Sequence, residues 1–252
     1  MLSSVVKFLT SKPRFLSVVN GMLVSMICLW ASGAQANSEA LAQPSWPSAW
    51  TYRLQAQVSG IRLNINANME WSVTKDRYQA KLKYSLPLVG HRTQTSQGVW
   101  SSQGLSPLVF VESTPRRRTD LVFDWTEKTV TRNQVPYHQG LQLGAQDPLS
   151  VFFEMGLRLA QLTSKDPPSS IRMNVVGVRK VENWTFKFKA LDTLDLPAGQ
   201  FTVWHWQRPA SDDDKGVSVD LWMAPSLGFL PVRIRLSQPN GDVLDQLLHR
   251  LD

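Results

Sequence analysis

The stretch Asp147-Pro148-Leu149-Ser150-Val151-Phe152-Phe153-Glu154-Met155-Gly156-Leu157-Arg158-Leu159-Ala160-Gln161-Leu162 decides how the rest of the chain must be arranged. It is the only convincing helix after the N-terminal segment, and strand-like sequence flanks it on both sides. Asp147 suits a cap, Pro148 the first helical position, and Ser150 lies three residues past the cap. At 100° per residue, Leu149, Phe152, Phe153, Gly156, Leu157 and Ala160 share one apolar face, which Val151, Met155, Leu159 and Leu162 extend. Only Ser150, Glu154, Arg158 and Gln161 form a polar strip. A helix this apolar must be enclosed. The expected fold is therefore mainly β: a curved antiparallel sheet, roll- or barrel-like, around one central helix.

The flanking sequence supplies the strands. Ile61, Leu63, Ile65, Ala67, Met69, Trp71 and Val73 alternate with Arg62, Asn64, Asn66, Asn68, Glu70, Ser72 and Thr74, a period of two with one wet face. Lys75-Asp76-Arg77 turns the chain, and Tyr78 to Leu86 returns with the same alternation. Further runs are predicted at His91–Trp100, Leu108–Glu112, Thr119–Trp125 and Thr129–Val135, with 136–145 read as a loop into the helix. After it come Ile171–Val178, Trp184–Leu191, Phe201–Arg208, Val217–Met223 and Leu230–Leu236. Val243–Leu251 is assigned as a last strand in preference to a short helix. Asp212-Asp213-Asp214 lacks the spaced ligands of a calcium loop and reads as a hairpin tip.

Residues 1–36 have the pattern of a secretory signal. Lys7, Lys12 and Arg14 precede an apolar run from Phe15 to Ala31, and Ala34-Gln35-Ala36 offers a cleavage site after Ala36. An uncleaved membrane anchor is the rival reading, since Phe15–Ala36 approaches the length of a bilayer span. Residues 37–49 read as a flexible lead-in and 50–252 as a single β-rich domain in the periplasm. The chain's one cysteine, Cys28, lies inside the signal, so the exported part lacks a disulfide framework and a cysteine–zinc site. Removing Lys7, Lys12 and Arg14 lowers the formal net charge of +7 by three. The remainder is weak support for nucleic acid, which is not expected as a partner; transient contact with anionic membrane surfaces is.

Candidate chemistry is sparse. His91, His138, His205 and His249 are isolated from one another, so no metal site is expected. His205 shares a strand face with Phe201 and Val203, and Trp204 and Trp206 share the other. No Gly-x-Ser-x-Gly elbow is present, Ser150 is explained by capping, and no catalytic residues or cofactors are assigned. The pairs Asp120/Asp124 and Asp192/Asp195 are chemically relevant only if the fold brings either into a cleft. Arg116, Arg117 and Arg118 form the densest basic cluster, an anion-binding candidate, although on a strand Arg117 points away from its neighbours. Of the ten tryptophans, nine follow residue 36. Aromatic walls are common in ligand cavities, which makes Trp204, Trp206, His205, Phe152 and Phe153 the ligand-binding candidates.

The segments Asp220-Leu221-Trp222-Met223-Ala224-Pro225 and Gly228-Phe229-Leu230-Pro231-Val232-Arg233-Ile234-Arg235 resemble an exported bacterial family catalogued as domain of unknown function 3108. Leu121–Trp125, Gln146–Ser150 and Leu196–Phe201 are similar to other parts of its pattern. The resemblance implies a barrel- or roll-like envelope domain of Gram-negative bacteria and brings no activity with it. Three functional readings follow: a non-enzymatic periplasmic domain binding an apolar or amphipathic envelope molecule such as a lipid, a protein-assembly module of the envelope, and an enzyme using carboxylate or His205 chemistry.

Overall fold

The computed structural model describes residues 46–58, 60–86, 90–162, 166–210 and 216–252. The predicted signal, its cleavage site and the Asp212–Asp214 hairpin tip lie outside these residues. The described strands are β1 (Ala49–Val58), β2 (Ile61–Thr74), β3 (Arg77–Leu86), β4 (Gly90–Ser101), β5 (Gly104–Thr114), β6 (Arg117–Asp124), β7 (Thr129–Arg132) and β8 (Val135–Gln139). Helix α1 (Ser150–Ala160) follows, and then β9 (Ser170–Val176), β10 (Val181–Leu196), β11 (Gly199–Arg208), β12 (Ser218–Ala224), β13 (Leu230–Ser237) and β14 (Val243–Leu251).

All fourteen belong to one antiparallel sheet in the order β8-β7-β6-β5-β4-β3-β2-β1-β14-β13-β12-β11-β10-β9. Each half is a meander of neighbouring hairpins. The halves are joined through β1 and β14, where Leu54 pairs with Gln246 and Ala56 with Leu244. The sheet curls without closing into a barrel. Its edges meet at a seam instead. There Gln146 N donates to Asn174 O and Val176 N to Gln146 O, each at 2.8 Å. Tyr137 Oη donates to Gly177 O at 2.8 Å, and Arg132 Nη1 to Val178 O at 2.9 Å.

Helix α1 separates two apolar clusters. Leu149, Phe153 and Leu157 face the first half, where the Phe153 ring lies 4.9 Å from Trp71 in a stacked arrangement and 5.6 Å from Trp46. Val151, Met155 and Leu159, about half a helical turn away, face Met173, Phe186, Trp204, Trp206 and Ile234 of the second half. Full burial of one such side chain stabilises by about 1.5–3 kcal/mol, so the helix is the common core of both halves. No helix among the described residues is long and apolar enough to cross a membrane.

Three expectations need correction. The strip of Ser150 and Glu154 is buried, with Glu154 only 1% exposed, because it faces the start of β5. Residues 46–49, expected as part of a flexible lead-in, are anchored: Trp46 is buried and its indole N–H donates to Gly228 O at 2.8 Å. The loop predicted from residue 136 contains β8. Asn133 and Gln134 both have positive φ (51° and 65°), giving a tight hairpin turn without the Asn-Gly pair that usually signals one.

Candidate functional site at the open end of the roll

The start of α1 is held by a buried polar network. Asp147 Oδ1 accepts the N–H groups of Leu149 and Ser150, each at 2.8 Å, and Asp147 N donates to Ser150 Oγ at 2.9 Å. This pairing has the reciprocal form of a capping box but lies ahead of the helix, whose cap position is Leu149 and not the expected Asp147. Ser96 Oγ donates to Asp147 Oδ2 and also lies 2.9 Å from Tyr78 Oη. Burial raises the Asp147 carboxyl to about 6, against the opposing pull of these hydrogen bonds. One turn on, Glu154 Oε2 accepts Leu105 N at 2.8 Å and Oε1 accepts Arg158 Nε at 2.7 Å. These carboxylates fix the helix to the sheet; they are sealed from solvent and suited to structure.

The sequence-derived candidates are dispersed. Trp206 has 0% exposure and Trp204 is also buried; both point at α1, with the Phe188 ring 5.4 Å and 6.3 Å away respectively. Phe153 is enclosed by tryptophans, and Phe152 is half-buried near Trp184, ring centres 6.4 Å apart. In this arrangement the aromatic candidates fill the roll. His205 lies on the outer face, its Nε2 2.9 Å from Asp220 Oδ1 and its Nδ1 3.6 Å from Asp192 Oδ2, stacked on Trp222 at 4.4 Å. Arg233 covers Trp222 at 4.5 Å and pairs with Asp245 at 2.9 and 2.6 Å. With both imidazole nitrogens facing carboxylates, His205 ties β10, β11 and β12 together.

Neither carboxylate pair converges. Asp124 accepts the N–H groups of Thr126 and Glu127 in a turn, while Asp120 pairs with Arg118. Asp192 faces His205, and Asp195 accepts from Gln200. No group of three or more His, Cys, Asp or Glu residues among those described is arranged to hold a metal. Two open surface depressions have mixed polar and apolar linings. One, of about 440 Å³, runs past Gln55, Arg62, Asn64, Arg235 and Asp245; the other, of about 470 Å³, follows the seam at Arg158, Arg172, Asn174 and Asn183.

The inner face itself changes along its length. Near α1 it is sealed: Trp50, Tyr52 and Leu54 of β1, Ala67, Met69 and Trp71 of β2, and Tyr78, Ala80 and Leu82 of β3 are buried. Farther along the same strands and the same face, Ala56, Leu63, Ile65, Tyr84 and Leu86 are only half-buried, and Ile61 is 64% exposed. Leu236 and Leu244 continue this half-buried surface on β13 and β14. Its flank turns basic on β4 and β6, where Arg92 and Arg117 occupy the inner phase. Sequence pattern identified these strands, yet it left Arg92 unnoticed because both phases of β4 are polar at that end.

A curled antiparallel sheet with a helix filling one end and an amphipathic inner surface at the other defines the class of protein. Within that class, the chain belongs to the family described as protein of unknown function (DUF3108), whose model matches residues 51–247. No curated protein matches it. A crystal structure from Parabacteroides distasonis, described as a putative lipoprotein, is similar over 82% of this chain and 98% of that one, with 11% identity and a TM-score of 0.37. That distance transfers no role.

Proposed function

We propose that this protein is exported to the periplasm and binds an amphipathic envelope molecule, such as an acidic lipid, at the open end of the roll. The apolar part would lie along Leu63, Ile65, Leu236 and Leu244, and the polar part against the arginine flank. The observation that carries this reading is the loss of burial along one continuous inner face beyond α1. A surface of this kind removes a ligand's chain from water while leaving its head group near solvent and cations. The aromatic set Trp204, Trp206 and Phe153 would support the floor by holding α1 in place.

Native mass spectrometry of the protein purified from its own envelope tests this. A lipid-sized adduct, reduced in Leu63→Asp and Leu244→Asp variants that keep the wild-type circular dichroism, is expected. Absence of any adduct, together with no uptake of a fluorescent fatty acid, would overturn it.

An assembly module of the envelope is the second reading. It draws on β8, a terminal strand on which Val135 is 62% exposed. Pro136 removes a donor from that edge and makes it a poorer template for strand addition. Crosslinking through residue 135 in cells that traps one reproducible protein partner would favour this reading over lipid binding.

A further inference from the structure

Part of β10 has a strand partner on one side only. β9 pairs with β10 from Val181 to Lys187, and Phe188 N donates to Ser169 O at 3.0 Å as the last bond of that ladder. The residues that would continue it, Pro168 and Pro167, carry no N–H to donate. β10 runs on, paired with β11 as far as Leu196. A bulge between Phe188 and Ala190 lies at the start of this extension and leaves residues 190–196 in regular register. Among the described residues, no backbone hydrogen bond reaches residues 189–196 from the side away from β11. Alternate residues of an antiparallel strand turn their N–H and C=O groups to that side, so the segment is an open edge.

The side chains along this edge are arranged by charge. Lys187, Lys189, Leu191, Thr193 and Asp195 are exposed and alternate with half-buried Phe188, Ala190, Asp192 and Leu194. Leu191 is 62% exposed. Charged side chains, lysine above all, commonly protect an edge, and prolines interrupt it. Here the lysines stand at one end of the segment and Asp195 at the other, with no proline between them. Lys187 and Lys189 form no ion pair among the described residues. Asp195 accepts from a neutral amide, Gln200 Nε2 at 3.0 Å, which leaves its charge uncompensated. Asp192 differs, since it faces His205.

We infer that residues 189–196 of β10 pair antiparallel with the same segment of a second copy of this chain. A two-fold axis reverses the strand and brings its opposite ends together, so lysine approaches aspartate twice. Centred on Leu191, the pairing sets the two Leu191 side chains against each other and covers their exposed apolar surface. Lys189 then lies opposite the partner's Thr193 and diagonal to the partner's Asp195, a separation of about 7–8 Å that a long side chain reaches across. A pairing this short buries less than the about 1,600 Å² of a standard interface, so the dimer is reversible and depends on concentration. This inference is independent of what the open end of the roll binds.

Sedimentation velocity of the protein purified from its own envelope, run over a concentration series, tests this. Wild type should pass from monomer to dimer as concentration rises. Leu191→Lys, Lys189→Asp and Asp195→Lys should each weaken the dimer by about tenfold, because the two-fold axis counts every contact twice. All three positions are exposed, so circular dichroism should not change. The exchange Lys189→Asp/Asp195→Lys restores opposite charges across the axis and should recover most of the affinity. Lys83→Asp makes the same charge change on an exposed position of β3 and should have no effect. A monomer at every concentration would overturn the pairing, as would a dimer insensitive to Leu191→Lys or equal losses in Lys83→Asp and Lys189→Asp. A dimer lost in Val135→Lys alone would overturn it too and move the contact to β8. In cells, a photocrosslinker at position 191 should give a product of twice the chain's mass. Capture of a different protein there would overturn self-pairing and assign the edge to that partner.

Discussion

Glu154 occupies the space that any side chain on residue 104 would need: a Cβ built on Gly104 falls 2.5 Å from Glu154 Oε2. Gly104 also has φ +98°, a conformation unfavourable for other residues. Gly104→Ala should therefore destabilise by about 2–3 kcal/mol through backbone strain and displacement of a buried carboxylate. Glu154→Ala should cost a similar amount, about 2–3 kcal/mol, by leaving Leu105 N–H buried and unpaired. Because one change vacates the space the other intrudes on, the double variant should lose less than the sum. Urea denaturation of the four proteins checks this; strictly additive losses would sink the close-contact account.

Asp147 makes stability depend on pH in a defined direction. Its folded carboxyl, raised to about 6 from an ordinary 3.8, holds its proton more tightly than in the unfolded chain. Unfolding free energy from this group thus falls as pH rises from 3.8 to 6, by on the order of 3 kcal/mol, and stays lower above that window. Asp147→Asn keeps an acceptor for the Leu149 and Ser150 N–H groups and removes the titration. Its stability should match wild type near pH 4 and exceed it above pH 6. Parallel stability–pH curves for the two proteins would contradict this assignment.

At Gly156 the helix touches its surroundings through backbone. An added Cβ would lie 2.6 Å from Phe229 O and 2.9 Å from Trp46 Cζ2. Alanine normally improves a helix by about 1 kcal/mol over glycine, but overpacking costs about 1–3 kcal/mol, and the Phe229 carbonyl cannot rotate away as a flexible side chain can. Gly156→Ala should lower the melting temperature. An increase would show that this approach is looser than described.

These contacts mark the limit of what could be read along the chain. The Asp147–Leu162 periodicity announced an enclosed helix, and alternation located β2 and β3 closely, because both signals are local consequences of 3.6- and 2-residue repeats. Strand identity for Val243–Leu251 was legible for the same reason. Its pairing with β1 was not: nothing near Leu244 specifies Ala56 as its neighbour almost two hundred residues away. Glu154 looked like a surface residue because helical spacing counts polarity and cannot show that Leu105 N–H awaits it. The triple-arginine run drew attention to Arg117, while Arg92 shares its face only through the pairing of β4 with β5 and β5 with β6. The tryptophans advertised aromatic surface without distinguishing a filled interior from an empty one.

Methyl NMR of the protein titrated with octyl phosphate tests the central claim most directly, because it reports where a ligand sits as well as whether it binds. The account predicts shifts in the methyl groups of Leu63, Ile65, Leu236 and Leu244, with Val151 and Leu159 beneath the sealed helical core unmoved. Shifts confined to Leu143 and the seam, or no shifts on the inner face at saturating ligand, would contradict it.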